Sequence, residues 1–130
     1  MVYLGLDYGR RKIGLALSEG KLASPLTTWS VRSDDDLLLR LKGLVKNMKV
    51  DIIIIGLPVG PLERAVKHIA EKIKHVLSIR VILWDETLTT KNAERLLIEA
   101  GASQKRRHTR IDAVAANLIL QSYLDTARTS

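Results

Sequence analysis

Residues 51–56 read Asp-Ile-Ile-Ile-Ile-Gly, and this run constrains the fold more than any other. Four consecutive β-branched side chains are stiff at χ1 and suit an extended backbone. On a strand they alternate between faces, so Ile52 to Ile55 make both faces apolar. A strand buried on both faces belongs to a parallel sheet covered by helices on each side. Residues 79–84, Ile-Arg-Val-Ile-Leu-Trp, form a second strand of this kind.

The flanking segments change period. Ser33 is followed by Asp34, Asp35 and Asp36. A hydroxyl cap with acids on the positive end of the helix dipole marks a helix start. Leu37, Leu41, Leu44, Val45 and Met48 then recur at helical spacing. Pro61 suits the first turn of a second helix, with Leu62, Ala65, Val66, Ile69, Ala70, Ile73 and Leu77 as its inward stripe. Thr90 to Ala100 reads as a shorter helix stopped by Gly101. A basic loop, Lys105-Arg106-Arg107-His108, leads to a last helix from about Ile111 to Ala127. Upstream, Val2–Asp7, Ile13–Leu17 and Pro25–Val31 are three apolar runs with short connections, which suggests an antiparallel meander. The expected order is β-β-β-α-β-α-β-α-α. It implies an α/β fold with a mixed five-stranded sheet, a three-strand antiparallel meander plus two parallel strands, flanked by helices.

Composition bounds the function. The chain has 130 residues, the size of one domain, so residues 1–130 are expected to form a single unit. It contains no cysteine, which excludes disulfides, thiolate metal sites and thiol catalysis. No apolar run approaches the roughly 20 residues of a membrane helix. The opening residues lack the basic start and apolar core of a signal peptide, so a cytoplasmic protein with no membrane partner is expected. The formal net charge is +7, which favours an anionic partner, nucleic acid first.

Three acids hold unusual positions. Asp7 ends the first strand between Gly5 and Gly9, Glu86 follows the last strand, and Asp112 lies in the first turn expected for the last helix. Each alone has an ordinary reading: a turn former, an exposed loop acid, and an acid favoured by the helix dipole. Ligand sites of α/β sheets gather at the carboxyl ends of strands, where a crossing helix brings Asp112 toward Asp7 and Glu86. Converging carboxylates need a counter-ion, and oxygen-only ligation selects Mg²⁺ or Mn²⁺. Two such ions activate water against a phosphodiester. Arg10, Arg11 and Lys12 sit beside Asp7, and Lys105, Arg106, Arg107 and Arg110 precede Asp112. Either cluster alone reads as a solvated surface; beside the acids, both are candidates for holding phosphates. Trp29 and Trp84 read as packing residues, and His68 and His75 lack metal-ligand spacing.

Leu4-Gly5-Leu6-Asp7-Tyr8-Gly9-Arg10-Arg11-Lys12-Ile13-Gly14-Leu15-Ala16 resembles the opening motif of the YqgF (RuvX) family. These are Holliday-junction resolvase-like nucleases, also assigned to 5′-end maturation of pre-16S ribosomal RNA. Ile54-Ile55-Gly56-Leu57-Pro58 resembles the family's middle strand and Gly-Leu-Pro turn. Asp85-Glu86-Thr87-Leu88-Thr89-Thr90 resembles its Asp-Glu-Arg-Leu-Thr-Thr motif, and Ile111-Asp112-Ala113-Val114-Ala115-Ala116 its last-helix motif. The resemblance covers nearly the whole chain. It implies a ribonuclease H-like fold, with Asp7, Glu86 and Asp112 as catalytic metal-binding acids. It also implies cleavage of structured RNA or branched DNA by a monomer or homodimer. Two departures stand out. Val59-Gly60-Pro61 leads straight into a helix where the family carries a longer loop, and Thr87 replaces the Arg after the motif's Glu.

Two other classes remain open. Sugar kinases and chaperone ATPases also begin with an Asp-x-Gly strand turn, but enclose their nucleotide with two domains over several hundred residues. A non-catalytic nucleic-acid-binding or ribosome-assembly factor with the same fold is the second.

Overall fold

The computed structural model describes residues 1–85 and the backbone of residues 104–129, with side chains over 113–127 of that last segment. Five strands, β1 (Tyr3–Tyr8), β2 (Lys12–Ser18), β3 (Ala23–Ser30), β4 (Ile52–Leu57) and β5 (Arg80–Asp85), form one sheet. Its order is β3-β2-β1-β4-β5. β1–β2 and β2–β3 pair antiparallel, while β1–β4 and β4–β5 pair parallel. The described helices are α1 (Asp34–Met48), α2 (Glu63–Leu77) and α3 (Gln104–Thr129). The expected mixed five-stranded sheet is therefore present; the helix read at residues 90–100 lies outside the described residues. None of the described helices is long and apolar enough to cross a membrane.

The isoleucine run divides between two cores. Ile53 and Ile55 face α1 and α2 together with Leu4, Leu6, Ile13 and Leu15. Ile52 and Ile54 face α3, against Ala116, Ile119, Leu120 and Leu124. All four isoleucines are at most 3% exposed, which is why β4 needs helices on both sides. Ser33 caps α1 as expected, its Oγ accepting from the Asp36 N–H at 3.1 Å.

Three local expectations change. Pro61 lies in the turn before α2, which begins at Glu63, whose N–H donates to the Gly60 carbonyl at 3.1 Å. Pro25 falls inside β3, where the register slips by one residue opposite Leu15 and Ala16. An edge strand tolerates a residue without an N–H at such a bulge. The largest change is at α3, which starts at Gln104 rather than near Ile111. Residues 105–108 are helical, not a loop. Lys, Arg and Gln are good helix formers, and nothing between Gln104 and Ile111 breaks a helix.

Candidate active site

Alternation along β1 sends its side chains to opposite layers. Leu4, Leu6 and Tyr8 pack toward α1 and α2. Tyr3, Gly5 and Asp7 therefore face the α3 layer. Asp7 is half-buried at the carboxyl end of β1. Its partner on β2 is Gly14, which in turn pairs with Thr28 of β3. On the other side, Leu6 pairs with Ile55, so the residue that follows Ile55 next to Asp7 is Gly56. Glycine thus stands beside Asp7 on both neighbouring strands.

The register of α3 on the sheet runs opposite to β1. The Tyr3 and Tyr123 rings lie 6.3 Å apart between centroids. Two residues further along β1, a Cβ on Gly5 would lie 2.9 Å from the Ala116 carbonyl oxygen and 2.8 Å from Leu120 Cβ. Only glycine admits the helix this close. The next residue on that face is Asp7, and the next helical turn toward the start of α3 carries position 112. Asp112 thus stands in the third turn of α3, not the first, on the backbone face it shares with Ala116 and Ile119. This removes the reading of Asp112 as an acid favoured by the helix dipole, because that effect fades beyond the first turn. β1 and α3 bring positions 7 and 112 to the same end of the same layer. Glu86 directly follows β5 in sequence and lies outside the described residues, as does Thr87.

The turn after β1 is held from several sides. The Gly9 N–H donates to the Lys12 carbonyl at 3.0 Å, and a Cβ at Gly9 would stand 2.7 Å from that oxygen. The Val31 N–H donates to the Arg11 carbonyl at 2.9 Å, tying the turn to the end of β3. Arg10, Arg11 and Lys12 are exposed on this fixed turn. Lys105, Arg106, Arg107 and Arg110 occupy the first two turns of α3. Tyr8, next to Asp7 but on the opposite face, donates from its hydroxyl to Asp34 Oδ1 at 2.8 Å. Burial pushes the Tyr8 phenol up to about 12, the hydrogen bond and charge of Asp34 add to the rise, and nearby Arg10 opposes it.

Two features escaped the sequence reading. Asp34 holds Tyr8 as well as sitting in the first turn of α1; nothing local in the sequence signals a bond over 26 residues. Arg64 and Lys67 line a groove of about 530 Å³ with Gly60, Pro61 and Glu63, beyond the carboxyl end of β4. Arg64 in the first turn of α2 opposes the helix dipole, and that was the available signal. Trp29 and Trp84 pack as expected. Trp84 donates to Ser122 Oγ at 3.1 Å, and Arg40 lies 4.6 Å from the Trp29 ring centroid. Among the described residues no three metal-capable side chains cluster, and Asp7 is the only member of the acid trio whose side chain is among them.

A family model described as RuvX, Holliday junction resolvase, matches residues 1–126. A relative from Bacillus cytotoxicus, named "Putative pre-16S rRNA nuclease", is 41% identical over 136 residues, covering 97% of this chain and 99% of the relative. One of the same name from Thermoanaerobacter pseudethanolicus is 42% identical over 137 residues, covering 98% and 99%. Among solved structures, T. thermophilus RuvC in complex with a Holliday junction substrate aligns over all of this chain and 96% of its own. The TM-score is 0.64 at 15% identity. The fowlpox virus Holliday junction resolvase aligns over 98% and 99%, with a TM-score of 0.66 at 10% identity. At these identities the structural matches speak for the fold, which is ribonuclease H-like, as the sequence motifs imply.

Proposed function

The chain belongs to the RuvX Holliday junction resolvase family, and from that premise we propose that it is a divalent-metal-dependent endonuclease. Its substrate is structured nucleic acid, either the 5′ end of pre-16S ribosomal RNA or a branched DNA of the Holliday-junction type. The names of the relatives and of the structural neighbours support this reading. The observation that carries it is the opposed register of β1 and α3, which sets positions 7 and 112 at one end of one layer. Residues 1–130 act as one domain, in the cytoplasm.

Asp7, Glu86 and Asp112 are the residues that would hold the metal. Carboxylate oxygens are hard donors and suit Mg²⁺ or Mn²⁺. When bound, a metal ion there supplies Lewis acidity and a more acidic attacking water. The chain's own residues bind and orient the substrate. Arg10, Arg11 and Lys12 present their charge on a turn fixed by the Gly9 and Val31 hydrogen bonds, so little order is lost when a phosphate is bound. Lys105, Arg106, Arg107 and Arg110 add positive charge along the start of α3, leading to Asp112.

Purified protein should cut a structured RNA or a four-way DNA junction with Mg²⁺ or Mn²⁺. Asp7→Asn should abolish cutting while keeping salt-sensitive binding. Equal cutting by both proteins would refute the assignment. Binding without metal-dependent turnover would favour the assembly-factor reading.

A further inference from the structure

β3 runs in the same direction as β1 two strands away, so its last residues lie at the same end of the sheet as Asp7. Ser30 pairs there with Lys12, and the Arg11 carbonyl accepts the Val31 N–H. Arg32 therefore follows directly beside the turn that carries Arg10, Arg11 and Lys12. Arg40, in the second turn of α1, reaches the same corner. Its Nη1 donates to the Ser30 carbonyl at 2.7 Å, and its guanidinium carbon lies 4.6 Å from the Trp29 ring centroid. An aromatic face and a carbonyl thus fix the guanidinium, which has five N–H donors to offer. Among the described residues neither Arg40 nor Arg32 has a carboxylate partner for its side chain. Two of the three acids nearby are already engaged. Asp34 accepts from the Tyr8 hydroxyl, and Asp36 accepts from the Arg32 backbone N–H at 3.0 Å. Arg10, Arg11, Lys12, Arg32 and Arg40 outnumber these acids and leave the corner basic.

We propose that Arg40 and Arg32 form a phosphate clamp for the substrate strand that flanks the scissile bond, a role that rests on reading the Asp7 end as the nuclease site. A long side chain loses rotamer freedom when it grips a ligand, and Arg40 has already lost much of it on folding. A planar fork held in this way suits two oxygens of one phosphate. Two strand spacings of about 4.8 Å put the clamp about 10 Å across the sheet end from Asp7. At about 3.4 Å per nucleotide, this is about three nucleotides from the phosphate at Asp7. The turn of Arg10, Arg11 and Lys12 lies between the two, so one strand can follow the cations from Asp7 to β3. Phosphate contacts set register and carry no sequence. The clamp therefore serves DNA and RNA alike, and it asks for length on one side of the cut rather than for particular bases.

Fluorescence anisotropy on the full chain tests this without metal, at about 50 to 200 mM salt, with a four-way DNA junction and a structured RNA. Arg32→Gln should reduce the slope of log affinity against log salt by about one. Its thermal midpoint should be unchanged, because Arg32 is exposed. Arg40→Gln should weaken binding by about tenfold. Arg40→Lys keeps the charge but not the fork, so the salt slope should return while the affinity does not. Lys46→Gln removes an exposed charge from the last turn of the same helix and should change neither quantity. Ethylation of single junction phosphates should interfere with wild-type binding at a position where it no longer affects Arg32→Gln. Wild-type slopes and affinities in both Arg32→Gln and Arg40→Gln overturn the proposal. So does an equal loss in Lys46→Gln, or an interference pattern that Arg32→Gln leaves unchanged. No cutting is measured here, so cleavage that survives Asp7→Asn would count against the nuclease reading and not against these binding results.

Discussion

Gly5 lies directly under the backbone of Ala116: a Cβ there would stand 2.9 Å from the Ala116 carbonyl oxygen. This contact sets how closely α3 approaches β1, and so where position 112 lies relative to Asp7. Gly5→Ala should therefore push the helix away. Overpacking of a closed contact costs about 1–3 kcal/mol, to be read from urea unfolding. Nuclease turnover should fall further than the small loss of folded protein accounts for.

The Tyr8 phenol gives a pH signature. Its pKa in the folded chain is pushed up to about 12, against an ordinary value of 10.0. The protonated form is thus favoured by folding, and that contribution is complete below pH 10. It is lost as pH climbs from about 10 toward 12. Unfolding free energy measured over this range should drop more steeply in wild type than in Tyr8→Phe. Superimposable curves would show that the Tyr8–Asp34 bond does not matter to stability.

The turn gripped by Gln121 should be sensitive to that one residue. Gln121→Ala leaves the Ala23 N–H and the Lys21 carbonyl without this partner. The expected loss is about 1–3 kcal/mol in chemical denaturation, with faster hydrogen exchange at the Ala23 amide.

Gly43 offers the opposite case. It sits inside α1, and a Cβ added there meets nothing within 4 Å. Gly43→Ala should stabilise the protein by about 0.5–1 kcal/mol through helix propensity. A thermal midpoint that falls would contradict the open surroundings found for this residue.

Much of this architecture is written locally. Ile52 to Ile55 state that β4 is covered on both faces, and Ser33 with Asp34 to Asp36 states where α1 begins. The start of α3 is not legible this way. Residues 104–110 are polar on every side, so no apolar stripe distinguishes helix from loop, and only backbone propensity remains. Pro25 in β3 misleads for a different reason: its place depends on a bulge against β2, which is a property of the pairing. The site divides similarly. Asp7 stands out as an acid between glycines at a strand end. Its neighbours Gly14, Thr28 and Gly56 come from register, and Gly5 against Ala116 joins residues far apart in the chain.

Asp7, Glu86 and Asp112 are proposed to share a divalent cation. A crystal structure of the protein soaked in Mn²⁺ decides this, with the anomalous signal locating the ion. Manganese should be bound by carboxylate oxygens of all three residues, at distances of about 2.1 Å typical of small hard cations. Carboxylates held more than about 8 Å apart, or manganese bound elsewhere, would contradict it, because ligands at such distances have no ion in common.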